Sequence, residues 1–144
     1  MKGEKVLFSS ASEEWATPRD FFAKLDKEFF FTLDPCATAE STVVNRFFTR
    51  EMDGLSKSWA GERVFMNPPY GKTIGKWMQK ALSESRGGSP LIVCLVPART
   101  DTRWWHECVQ GKAEVRFIRG RLRFGGSKNS APFPSCIVIY RGKP

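Results

Sequence analysis

The sequence is poor in the residues that build metal sites and crosslinks. It has one histidine, His106, and four cysteines, Cys36, Cys94, Cys108 and Cys136, with no CxxC pair among them. A structural zinc site needs four such ligands at short spacings, so no metal is expected. Cys36, Cys94 and Cys136 stand in apolar runs, where buried free thiols are common. The chain is therefore read as reduced and cytoplasmic. Long apolar runs are missing too. Nothing approaches the length of a transmembrane helix, and MKGEKVLFSSASEEW at the start holds no signal-peptide core. No membrane partner is expected. Acidic residues are few, 15 against 23 lysines and arginines, which leaves a net charge of +8. A surface of that sign favours a polyanion, nucleic acid first, although solubility alone also explains it.

What is present suits one domain. The 144 residues are 41% hydrophobic and 13% aromatic, enough for a core. Residues 1–13 are polar and read as a loose arm, and residues 14–144 as a single domain. Thr17-Pro18 reads as a helix start, with Thr17 as N-cap and Pro18 in the first position. Phe21, Phe22, Leu25 and Phe29 follow at helical spacing. Strands are expected at Phe29–Leu33, Arg63–Met66, Leu91–Val96, Glu114–Phe124 and Cys136–Tyr140. Lys72–Arg86 and Asp101–Gln110 have helical patterns that end at glycines. Residues 38–58 carry no clear pattern. The alternation predicts an α/β fold with a mixed, mostly parallel sheet and an antiparallel last pair. Ligands in such sheets bind at the carboxyl ends of strands. Two of those ends are unusual, Asp34-Pro35 and Asn67-Pro68-Pro69-Tyr70.

The stretch VFMNPPYGK, Val64–Lys72, is an apolar strand that ends in two prolines. Proline fixes φ, donates no hydrogen bond and holds the residue before it extended. A terminator would explain the prolines but not the asparagine. A rigid pair of acceptors, the Asn67 side-chain oxygen and the Pro68 carbonyl, fits a specific task. An exocyclic amino group on a base is a poor nucleophile because its lone pair is delocalised. Two fixed acceptors can take its hydrogens and aim the lone pair at a methyl donor, with little reorganisation. Tyr70 could stack on a base that has left the duplex.

These residues resemble the phage-type DNA N-6-adenine methyltransferase, or Dam-like, family. The likeness spans Glu14 to about Tyr140. It includes Trp15-Ala16-Thr17-Pro18, Leu33-Asp34-Pro35-Cys36-Ala37, Asp53-Gly54-Leu55 with Trp59, Asn67–Tyr70, PARTDT at 97–102, GRLRF at 120–124 and NSAPFPS at 129–135. It implies a Rossmann-like methyltransferase domain, S-adenosylmethionine as cofactor, duplex DNA as partner and a phage or prophage origin in a bacterial host. Larger enzymes of this type carry a separate target-recognition domain, and 144 residues leave no room for one here; the oligomeric state stays open, a homodimer included.

On this resemblance Asn67, Pro68, Pro69 and Tyr70 are catalytic. Trp15, Thr17, Pro18, Asp34, Pro35, Cys36, Ala37, Asp53 and Leu55 hold the cofactor. The glycines that usually follow the DPCA motif are replaced by Thr38-Ala39-Glu40-Ser41. Lys72, Arg99, Arg121, Arg123, Lys128, Asn129 and Phe133 are expected on DNA, with Phe133 facing Tyr70 across the flipped base. On a strand, Arg119, Arg121 and Arg123 share one face. Blander readings stay open: a helix cap at Thr17, a turn at Asp34-Pro35 or Asp53-Gly54, and a solvated strand face for the arginines. Methylation of cytosine N4, of RNA or of protein glutamine stays open too, as does a DNA-binding module with a relic pocket.

Overall fold

The computed structural model describes residues 15–37, 42–125 and 130–142. The expected arm, Thr38–Ser41, Lys128 and Asn129 lie outside the described residues. Four strands form one sheet: β1 (Arg63–Met66), β2 (Leu91–Pro97), β3 (Glu114–Phe117) and β4 (Ser135–Arg141), in the order β1-β2-β4-β3. The helices are α1 (Arg19–Phe29), α2 (Ile74–Gly87) and α3 (Arg103–Cys108), and Gly54–Ser56 makes one 3-10 turn.

β1 and β2 run parallel and are joined by α2, as the alternating pattern predicts. β4 returns antiparallel between β2 and β3. Two isolated parallel bridges, Leu33 to Val64 and Asp34 to Phe47, extend the sheet beyond β1. With the bridges counted, three neighbour pairs are parallel and two antiparallel. Every residue of β2 is buried, which is why it reads as a continuous apolar run rather than an alternation. Among the described residues no helix stands between β3 and β4, as the antiparallel last pair allows.

Three expected elements change. α1 runs on through Phe29, and Phe30 closes it in the left-handed conformation, φ 54°, with its N–H on the Asp26 carbonyl at 2.8 Å. The aromatic run 29–33 is therefore helix end and turn, and only Leu33-Asp34 keeps a strand-like bridge. β3 stops at Phe117, the chain bends at Arg119-Gly120 (φ 77° at Gly120), and Arg119, Arg121 and Arg123 stand on an irregular segment and not on a strand. α3 is shorter than expected because Thr102 caps it, accepting from the Trp105 N–H at 3.3 Å.

Trp59 ties the fold to the site. It is fully buried, its indole N–H donates to the Gly54 carbonyl at 3.0 Å, and its ring stacks on Trp77 of α2 at 6.5 Å. This anchors the Asp53–Ser56 turn against α2. A Cβ on Gly54 would meet the Pro35 carbonyl oxygen at 2.0 Å, so only glycine lets this turn lie against Asp34-Pro35.

Candidate active site

Asn67 follows β1 directly, at the carboxyl end of the parallel pair. Its side-chain amide donates to the Trp15 carbonyl and, at 3.0 Å, to the Thr17 hydroxyl. Two acceptors on one nitrogen fix which end of the amide is which. The opposite end, Oδ1, is buried and has no hydrogen-bond partner among the described residues. Buried acceptors are nearly always satisfied, so an orphan asks for a ligand. Pro68 is buried, and no donor among the described residues reaches its carbonyl. The Asn67 carbonyl, by contrast, accepts from the Cys36 thiol at 3.5 Å.

Thr17 is not the helix cap. Pro18 holds that position in extended geometry, and its carbonyl accepts the Phe22 N–H at 3.0 Å. A threonine one residue too early for the cap is free to turn its hydroxyl to Asn67 instead.

A cavity of about 350 Å³ lies on this side of the Pro-Pro turn, within the size range of small-ligand sites. Trp15, Thr17, Asp34, Pro35, Cys36, Ala37 and Asp53 all line it, together with Asn67 and Pro69. Two of the expected cofactor residues do not. Pro18 caps α1, and Leu55 packs against the core from its half-buried turn. Asp34 has 6% of its surface exposed, and burial pushes its carboxyl up to about 7. The Cys36 N–H, at 3.2 Å, opposes that shift only in part. Among the described residues no cation pairs with it, so the cavity holds a desolvated carboxyl that a positive ligand would relieve. Asp53 sits in the left-handed region, φ 54°, where aspartate is tolerated better than most residues.

Four aromatic rings, Trp15, Tyr70, Phe124 and Phe133, pack on one another near Asn67. Tyr70 meets Phe133 edge-on at 5.6 Å and Phe124 at 6.2 Å, and Trp15 meets both phenylalanines at 5.5 Å. The Tyr70 hydroxyl donates to the Leu95 carbonyl at 3.1 Å, and burial holds its pKa well above the ordinary value. The expected Tyr70–Phe133 sandwich is absent from this arrangement. The rings stand at 76° to each other and touch, whereas a base between them needs parallel faces and twice a stacking separation. Phe133 is buried packing here and carries the Arg99 guanidinium over its ring at 5.8 Å.

The expected DNA contacts divide. Lys72 and Arg99 are exposed and line a second, larger cleft on the far side of Tyr70. Arg121 and Arg123 are exposed on the irregular segment, whose alternation turns Leu122 and Phe124 inward. The Leu122 carbonyl accepts the Ala131 N–H at 2.8 Å, so this segment packs against the chain leading into β4.

The model of the family described as DNA N-6-adenine-methyltransferase (Dam) matches residues 6–142. The chain belongs to this family. A DNA N-6-adenine-methyltransferase of Haemophilus phage HP1 is 32% identical over 142 residues, covering 93% of this chain and 82% of that protein. One of Escherichia phage T1 is 30% identical over 110 residues, 75% of this chain and 45% of that protein. A putative RNA methyltransferase from Pyrococcus horikoshii superposes with a TM-score of 0.48 at 15% identity, covering 69% of this chain and 52% of that one.

Sequence reasoning missed part of this Dam-family site. Ala16, Thr49, Arg50, Gly54, Thr73 and Trp77 also line the smaller cavity. Gly54 lay in a quoted motif and Ala16 between two candidates, so both were within reach. Thr49 and Arg50 fall in the patternless 38–58 stretch. Trp77 reads as one more apolar position of an amphipathic helix, and only the fold turns it to the cavity.

Proposed function

We propose that this chain transfers a methyl group from S-adenosylmethionine to the N6 amino group of an adenine flipped out of duplex DNA. The observation that carries the reading is the orphaned Asn67 Oδ1, oriented by two hydrogen bonds on the other end of its amide. Oδ1 and the Pro68 carbonyl accept the two amino hydrogens. The prolines keep both acceptors still, so the amino nitrogen loses conjugation and presents its lone pair without rearrangement of the site.

The smaller cavity suits the cofactor on three counts: its volume, its buried uncompensated carboxyl and the glycine that permits the close turn at Pro35. S-adenosylmethionine, when bound, supplies a methyl already activated on a sulfonium. Asp34 meets the positive charge of the methionine end, and Asp53 and Thr49 offer polar contacts along the wall. Trp15 and Trp77 exclude water with their indoles. A base stacked on Tyr70 would displace the edge contacts that Tyr70 makes with Phe124 and Phe133. The reaction belongs in the host cytoplasm, where both substrates occur.

The test is transfer of labelled methyl to unmethylated duplex DNA, with the product digested to nucleosides. Label should appear in N6-methyladenine and fall at least about a hundredfold in Asn67→Ala, which keeps its cofactor-induced thermal shift. Label in cytosine would keep the acceptor pair and change the base. No transfer despite cofactor binding would remove DNA as substrate. Neither transfer nor binding would leave a relic DNA-binding module.

A further inference from the structure

The larger cleft has no part in the chemistry above. It has a volume of about 700 Å³ and opens beside Tyr70 and Pro97, at the carboxyl ends of β1 and β2. Asn67 and Pro69 line the smaller cavity, whereas Tyr70 and Gly71 line this one. The Pro-Pro turn is thus a wall with a different cavity on each side.

The cleft is strongly one-signed. Lys72, Lys76, Arg99 and Arg103 line it against one acid, Glu107. Arg103 is tied to Glu107 at 2.7 Å. Lys72, Lys76 and Arg99 have no carboxylate partner among the described residues. All four cations are exposed, and each comes from a different place: the turn leading into α2, the first turn of α2, the loop after β2 and the start of α3. Such a spread does not build a closed subsite for one small anion. It follows a line of charge. Trp104, half-buried against Trp105 at 5.8 Å, adds an aromatic face to the same cleft. Cations along a groove with a ring at its wall are the combination that holds a nucleic-acid strand by its phosphates and one stacked base.

We infer that this cleft holds the DNA strand next to the target nucleotide. Lys72, Lys76, Arg99 and Arg103 take its phosphates, and Trp104 stacks on the flanking base. Glu107 moderates the grip by holding Arg103. The inference rests on reading the chain as a DNA methyltransferase. It assigns Lys76, Arg103, Trp104 and Glu107, which motif reasoning passed over.

The test is binding of an unmethylated duplex by fluorescence anisotropy, with S-adenosylhomocysteine present, across a series of salt concentrations. Lys76→Ala with Arg103→Ala should lower affinity at least about tenfold and flatten the salt dependence by about one to two, at roughly 0.9 per lost phosphate contact. Glu107→Gln should do the opposite and tighten binding, since it frees Arg103. Lys24→Ala with Lys57→Ala removes the same charge from exposed sites outside the cleft and serves as the control. Equal losses in the cleft and control variants would overturn the inference, and so would weaker binding by Glu107→Gln. If the cleft variant binds and methylates like the control while wild type methylates adenine, the cleft fails and the reaction stands. If wild type binds through the cleft yet transfers no methyl, the cleft stands and the reaction falls.

Discussion

Replacing Asp34 by asparagine should stabilise the protein above neutral pH while disabling its cofactor site. Asparagine keeps the oxygen that accepts the Cys36 N–H and removes only the charge. The folded-state pKa of Asp34 is about 7, against an ordinary value of 3.8. The folded chain therefore holds this proton more tightly than the unfolded one. Its contribution to stability is complete below about pH 4, declines as pH rises and is gone above about pH 7. A shift of about three units corresponds to about 4 kcal/mol as an upper bound. Asparagine has no such penalty. Between pH 5 and pH 8 the stability gap in favour of Asp34→Asn should widen by about two units, or about 3 kcal/mol. For a domain of this size that is roughly 6–12 °C in melting temperature. Carboxylates such as Glu28 and Glu114, held low by Arg116, titrate alike in both proteins and cancel in the difference. The measurement is thermal or urea unfolding of both proteins across that pH range, with and without S-adenosylhomocysteine. Wild type should gain stability from the ligand and release a proton on binding near neutral pH. The variant should gain little. A gap that does not change with pH, or a variant less stable at pH 8, would refute the account of Asp34 as a desolvated, unpaired carboxyl.

Gly54→Ala should cost about 1–3 kcal/mol in urea unfolding, because its Cβ would meet the Pro35 carbonyl at 2.0 Å and the turn must move. The same variant should weaken cofactor binding, since Asp53 and Pro35 both line the cavity. Thr17→Val removes one of the two acceptors that orient the Asn67 amide. It should lower kcat about tenfold with KM for DNA little changed and stability within about 1 kcal/mol, a split that a merely structural threonine would not produce.

Family membership was more legible in the sequence than the placement of particular side chains. Asn67-Pro68-Pro69-Tyr70 was legible because prolines constrain the backbone locally, whatever packs around them. β2 was legible because a central strand buried on both faces leaves a continuous apolar run. Thr17 was legible as important but not in its role, since Thr-Pro has the same local signature in a cap and one residue ahead of it. The Phe29–Leu33 run misled because aromatics favour strands only where a neighbour is available. Here the helix C-terminus claims Phe29, and Phe30 turns the chain. The arginines of 119–123 alternate as a strand would, but pairing needs a partner edge, and β4 gives its own to β3 only as far as Phe117. The edge-on Tyr70–Phe133 contact was not legible for a different reason. Sequence shows which rings are available but not that four of them satisfy one another when no base is present.

The Asn67 amide is steered by residues 52 and 50 positions earlier in the chain. That makes the segment before α1 a control line to the reaction centre and not merely a leader into the first helix. A change in the backbone path at Trp15 or in the Thr17 hydroxyl acts on that amide directly. Changes in this segment should therefore reach the proposed reaction at Asn67 before they reach the melting temperature.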